Sequence, residues 1–124
     1  MTNEVPFYKN PWIYGLVIIA VLIVIVSIPK GPGEYDVFAK CLTERGAVMY
    51  GTDTCPHCKN QKELFGNSFK KINYINCDFK MEECLRNRVE GYPTWIIDGG
   101  NYPGEQPLEK LSVLSGCELV RDIS

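Results

Sequence analysis

The chain has 124 residues, a net charge of −2 and 45% hydrophobic residues. That length allows one small domain and a further segment, and the near-neutral balance leaves no electrostatic footprint for nucleic acid. Six cysteines in so short a chain point to metal or catalysis in a reducing compartment and to disulfides in an oxidising one.

Residues 1–11 read as a short polar tail. Trp12 to Ile28 follows, apolar and without a charge. As a helix it extends roughly 25 Å, the short end of a bilayer crossing. A small domain cannot surround a helix that is apolar on every face, which argues against a buried core helix. A cleaved signal peptide is the better rival, yet Pro29-Lys30-Gly31-Pro32-Gly33 follows without an Ala-x-Ala site. Lys40 before Cys41 does not suit a lipoprotein site either. The expectation is an uncleaved transmembrane anchor over 12–28, with Phe7, Tyr8, Trp12 and Tyr14 at the interface. Lys9 offset by Glu4 on one side and Lys30 on the other leave the charge rule for orientation almost silent. The cysteines place the remainder on the extracytoplasmic side of a single-pass cell-membrane protein. Residues 29–33 read as a Pro/Gly linker and 34–124 as the domain.

Within the domain, Tyr35 to Arg45 predicts a helix with Val37, Phe38, Cys41 and Leu42 on one face and Gly46 as its stop. Ala47 to Tyr50 is a short buried strand. Pro56 to Lys70 is a helix, and Lys71 to Cys77 a strand carrying Ile72, Tyr74 and Ile75. Met81 to Arg88 is a short helix with Cys84 and Leu85. Thr94 to Ile97 is a strand, Asp98-Gly99-Gly100 a tight turn, and Asn101-Tyr102 opens the pairing strand. Pro107 suits a first helical position, Leu108, Leu111 and Leu114 follow at helical spacing, and Gly116 ends the run. The first two or three strands are joined by helices and expected to be parallel, and the last two form a hairpin. The fold class is α/β, a mixed sheet of about four strands covered by helices.

Cys55-Pro56-His57-Cys58, between a buried strand and a helix, is the chemical centre of the chain. Pro56 has no N–H and a pre-set φ, so it fits the first helical position and makes Cys55 the N-cap. The unpaired N–H groups and the helix dipole then favour a thiolate at Cys55. Cys55 is the expected attacking sulfur, and Cys58, one turn inside, the resolving one. His57, the only histidine, is expected to stabilise the Cys55 thiolate further, which makes the disulfide more oxidising. The plainer alternative for His57 is a solvated surface residue.

A C-x-x-C after the first buried strand, with Gly91-Tyr92-Pro93-Thr94 before the later hairpin, resembles the thioredoxin superfamily. The resemblance implies a thioredoxin-like fold, a cis Pro93 facing the sulfurs, and a substrate-binding Tyr92-Pro93-Thr94 segment that offers backbone hydrogen bonds to an extended substrate. Met49-Tyr50-Gly51, Cys55-Pro56-His57-Cys58, Gln61-Lys62-Glu63-Leu64-Phe65-Gly66, Gly91-Tyr92-Pro93-Thr94-Trp95 and Leu114-Ser115-Gly116 together resemble one branch. It is the DsbA-like domain that is fused to, or works beside, bacterial-type vitamin K epoxide reductase homologues, which pass electrons to a quinone. Two positions depart from thioredoxin-like patterns: Thr54, where many carry an aromatic residue, and Met49, where thioredoxin carries a buried acid.

Six cysteines admit more pairings than sequence can choose among. The resemblance implies Cys77–Cys84, as a structural clip or a second redox pair, and leaves Cys41 and Cys117 to each other. A zinc site on Cys55, Cys58, Cys77 and Cys84 is disfavoured by the longer second spacing; no metal and no organic cofactor is expected. What the resemblance implies is a membrane-anchored thiol–disulfide oxidase that acts on thiol-bearing proteins. A quinone-linked, vitamin K epoxide reductase-like membrane partner would re-oxidise it. The alternatives are a membrane-tethered reductase or isomerase, for example in cytochrome c maturation, and a zinc-stabilised module without catalysis.

Overall fold

A computed structural model describes residues 10–28 and 31–122. The chain divides into two compact units, Met1–Lys30 and Gly31–Ser124. In the first, helix α1 spans Pro11–Ser27, with Asn10 as N-cap accepting from the Trp12 N–H and Ile28 in an extended conformation closing it. Its side chains from Leu16 to Val26 are exposed apolar groups. Its 17 residues cover about 25 Å against a hydrocarbon core of about 30 Å. Among the described residues no helix is long and apolar enough to cross a membrane. The segment expected over 12–28 forms a helix over Pro11–Ser27. Phe7, Tyr8, most of the expected tail, Pro29 and Lys30 lie outside the described residues.

The second unit holds α2 (Asp36–Glu44), β1 (Val48–Gly51), α3 (Pro56–Phe65), β2 (Tyr74–Asn76), α4 (Met81–Arg86), β3 (Thr94–Ile97), β4 (Gly100–Pro103) and α5 (Leu108–Ser115). The four strands form one sheet in the order β2-β1-β3-β4. β1 and β2 are parallel, whereas β3 is antiparallel to both β1 and β4. Of the two or three strands expected to be parallel, β1 and β2 are, and β3 is not. β2 ends beside Gly51 and β3 begins beside Tyr50, so the segment carrying α4 leaves and re-enters at the same end of the sheet. A six-residue helix rises only about 9 Å and does not carry the chain back across, so β3 must run in reverse.

Other details differ from expectation. The helix expected over 56–70 stops at Phe65, because Gly66 takes φ +54°, and a 3₁₀ turn over Gly66–Lys71 continues it. Val37 is exposed rather than in the core, while Ala39 lies inside with Phe38 and Leu42. Gly33, expected in a free linker, is buried on the domain and leaves no room for a side chain against Ser68. Asp98 and Gly99 have φ +48° and +76° between Ile97 and its partner Gly100, the positive-φ pair that a two-residue hairpin favours.

The core lies between the sheet and its helices. Phe65 stands 6.1 Å from Phe38 and 6.0 Å from Trp95, ring centre to ring centre. Met49, Leu42, Ile97 and Leu111 are fully buried around them. Side chains of this size contribute roughly 1.5–3 kcal/mol each when buried. On the other side of the sheet Tyr50, Ile75 and Val89 pack with Cys77 and Cys84. Cys77 is bonded to Cys84, and Cys41 to Cys117. Cys77 and Cys84 are therefore committed to each other rather than to a site shared with Cys55 and Cys58.

Candidate active site

The two cysteines left free are Cys55 and Cys58, both placed by the start of α3. Pro56 occupies the first helical position and Cys55 is the N-cap. The Cys55 sulfur is half-buried and accepts from the Cys58 backbone N–H at 3.4 Å. Cys58 points inward and is fully buried. Burial pushes its thiol up to about 11, and the neighbouring Cys55 sulfur works in the same direction. The Thr52 backbone and Lys62 oppose the shift. One sulfur is thus reachable from solvent while its neighbour is held back as a neutral thiol.

The opposing wall comes from the loop before β3. The Tyr92–Pro93 peptide is cis, Pro93 is buried, and the Tyr92 carbonyl accepts from the Cys55 thiol at 3.7 Å. Thr94 turns inward, is buried, and donates through Oγ1 to the Gly91 carbonyl at 2.7 Å. Its side chain fixes the loop around Tyr92 and Pro93.

His57 is mostly exposed, and its Nδ1 lies 2.7 Å from Glu105 Oε1. Asn60 Nδ2 donates to the same oxygen at 3.1 Å. The hydrogen bond with His57, and then that from Asn60, holds the Glu105 carboxyl below the usual carboxylate range. Among the described residues no hydrogen bond joins His57 to Cys55. Glu105 is carried by the loop between β4 and α5, which is itself clamped to α3. Gln61, fully buried, donates to the Gln106 carbonyl at 3.0 Å and accepts from the Gln106 N–H at 2.7 Å.

Sequence reasoning did not identify Gly51, Asp53, Lys62, Tyr74 and Glu105 as parts of the site. Gly51 is dictated by packing: a Cβ there would stand 2.7 Å from Cys58 Sγ. Gly51→Ala is therefore expected to lower stability by about 1–3 kcal/mol, the usual range for overpacking a filled site. It should also displace the Cys58 sulfur. Thermal unfolding of the reduced protein, with the rate of Cys55–Cys58 bond formation measured in parallel, checks both effects. Asp53, two residues before Cys55, gathers Lys62 Nζ at 2.8 Å, the Tyr74 hydroxyl at 3.1 Å and Asn76 Nδ2 at 2.9 Å. The Lys62 hydrogen bond chiefly holds its carboxyl below the ordinary range. Burial, reinforced by Asp53, raises the Tyr74 phenol.

The arrangement supports a two-sulfur exchange. Such an arrangement can let a reachable sulfur react with an outside sulfur while a buried one closes the pair. No protein-family model matches the chain. It is similar to the thiol-disulfide oxidoreductase LTO1 of Arabidopsis thaliana, with 39% identity over 90 residues. That alignment covers 65% of this chain and 24% of the plant protein, so the chain spans about a quarter of the length of the relative it matches.

Proposed function

We infer that the chain is a thiol–disulfide oxidoreductase in which Cys55 exchanges with an outside sulfur and Cys58 closes the pair. The observation that carries this reading is the asymmetry of the two free cysteines. One sulfur stands at the start of α3 beside the Tyr92 carbonyl, and the other is buried one turn inside. The similarity to a protein named for this activity supports it.

The proposal extends to direction, place and partner. The Cys58 N–H bond to the Cys55 sulfur favours the reduced pair, which makes the disulfide a stronger oxidant. Met49, buried on β1, offers no acid or base next to the pair. Both features favour an oxidase that donates the Cys55–Cys58 disulfide to thiol-bearing proteins. Two further disulfides suit an oxidising, extracytoplasmic setting. Helix α1, uncharged and apolar on its exposed faces, is proposed to hold the domain at the membrane. Local thinning of the bilayer accommodates a helix of this length. The resemblance carried by the sequence motifs supplies the oxidant, a quinone-linked membrane protein of the vitamin K epoxide reductase type.

Rapid acid quenching and thiol alkylation in intact cells, combined with protease accessibility and alkaline extraction, test these points together. The expected result is a membrane-retained protein, cleavable from the extracytoplasmic side, with Cys55 and Cys58 predominantly disulfide-bonded at steady state. Free thiols at both positions would reverse the assigned direction and make the protein a reductant. Release by alkaline extraction would remove α1 from the membrane.

A further inference from the structure

A buried thiol such as Cys58 must become a thiolate twice in the proposed cycle. It leaves as a thiolate when a substrate sulfur attacks Cys55 of the disulfide. It attacks as a thiolate when the pair is re-oxidised. β1 brings the apolar Met49 to this region and no charge, so compensation must come from other elements.

Two groups frame the sulfur around Gly51. The point where a Gly51 Cβ would stand is 2.7 Å from Cys58 Sγ and 3.5 Å from Tyr74 Cε2. The Tyr74 ring therefore lines the same small space as the sulfur. Lys62, four residues after Cys58 on α3 and so on the same helical face, places Nζ 4.0 Å from the centre of that ring and 5.4 Å from that of Phe69. Its counter-ion is Asp53, at 2.8 Å. The Lys62 side chain is 25% exposed and that of Asp53 62%. Water therefore screens the anion more than the cation, and the field left toward the interior is positive. The charged and titratable groups around Cys58 are Cys55 and Lys62 on α3, Asp53 on the loop after β1, and Tyr74 with the more distant Asp78 on the β2 side. Lys62 is the cation among them.

We propose that the Lys62 ammonium, held by Asp53 and the Tyr74 ring, is the positioning charge for the Cys58 sulfur and stabilises its thiolate whenever the Cys55–Cys58 bond opens or closes. The inference rests on the reading of these cysteines as an exchanging pair. With oxidised glutathione as the probe, the Cys55 thiolate attacks one glutathione sulfur. The Cys55–glutathione disulfide forms and one glutathione thiolate leaves. Cys58 gives its proton to water, and its thiolate attacks Cys55 Sγ. The Cys55–Cys58 bond forms and the second glutathione thiolate departs, so the pair loses two electrons and glutathione disulfide gains them.

The test follows this closure step by quenched alkylation and mass analysis in the full chain. It also titrates the Cys58 thiolate by ultraviolet absorbance in a Cys55→Ala background. Lys62→Met keeps the aliphatic packing on Tyr74 and Phe69 without the charge; Lys62→Gln serves where Lys62→Met does not fold. The expected result is closure slowed about fivefold or more, a Cys58 titration moved to higher pH, and recovery to within about twofold in Lys62→Arg. Closure at the wild-type rate with an unmoved titration overturns the proposal. Equal slowing in Lys62→Met and Lys62→Arg also overturns it, since packing rather than charge would then be responsible. If the wild-type chain forms no Cys55–Cys58 bond from glutathione disulfide, both the inference and the exchanging-pair reading fail.

Discussion

Cys58→Ala is expected to hold a thiol-bearing partner on Cys55 as a persistent mixed disulfide, while Cys55→Ser is expected to lower exchange by about a thousandfold or more. The two effects differ in kind because the two sulfurs do. Cys55 is half-exposed beside the Tyr92 carbonyl and is the sulfur an outside thiol can reach. Cys58 is fully buried and can act only on Cys55. Without Cys55 no covalent intermediate forms, whereas without Cys58 one forms and is not closed. Non-reducing electrophoresis after alkylation separates these outcomes, with turnover of a dithiol peptide as the rate measurement. A partner captured equally well on Cys55→Ser would contradict the assignment.

The second large effect is on stability. Cys41 on α2 and Cys117 just beyond α5 are 76 residues apart in sequence, whereas Cys77 and Cys84 are 7 apart. In the chain-entropy account the longer loop contributes about 4 kcal/mol and the shorter about 2. The Cys41→Ser/Cys117→Ser double variant is therefore expected to lower the melting temperature by roughly 20 °C. The Cys77→Ser/Cys84→Ser variant should lose about half as much. A domain of this size has only about 5–14 kcal/mol in total, so the longer bridge accounts for a large share. It acts beside other contacts that close the two ends of the domain. The Asp122 N–H donates to the Glu34 carbonyl at 2.6 Å, and the Val37 N–H donates to Asp122 Oδ2 at 2.9 Å. Calorimetry of the two variants, with the Cys55–Cys58 pair kept reduced in both, compares the bridges directly. An equal loss in both would show that loop length does not govern the difference.

What the sequence made legible was local. Pro56 after Cys55 announces a helix start, and the N-cap follows from it. Thr94–Ile97 and the Asp98-Gly99 turn are a β run and a positive-φ pair, each encoded by its own residues. What was not legible depends on distance in the chain. Glu105 reaches His57 only because Gln61 and Gln106 clamp the β4–α5 loop to α3, and no local pattern encodes that clamp. Lys62 looks like any solvated helix lysine until Asp53 and Tyr74, from two other segments, enclose it. Gly51 reads as a strand-ending glycine, and only the position of Cys58 shows that a methyl group has no place there. The reverse direction of β3 is set by where α4 begins and ends, a property of path rather than of composition. α1 is legible as an apolar segment, yet its bounds at Pro11 and Ser27 decide its length.

The central claim is that Cys55 and Cys58 form the exchanging pair, and stoichiometric transfer tests it most directly. The oxidised chain is mixed with an equal amount of a reduced dithiol peptide, acid-quenched, alkylated and mapped by mass. The predicted result is loss of the Cys55–Cys58 bond matched one for one by a disulfide in the peptide, with Cys41–Cys117 and Cys77–Cys84 unchanged. Transfer from Cys77–Cys84 instead, or a Cys55–Cys58 bond that persists beside a reduced peptide, would contradict the account.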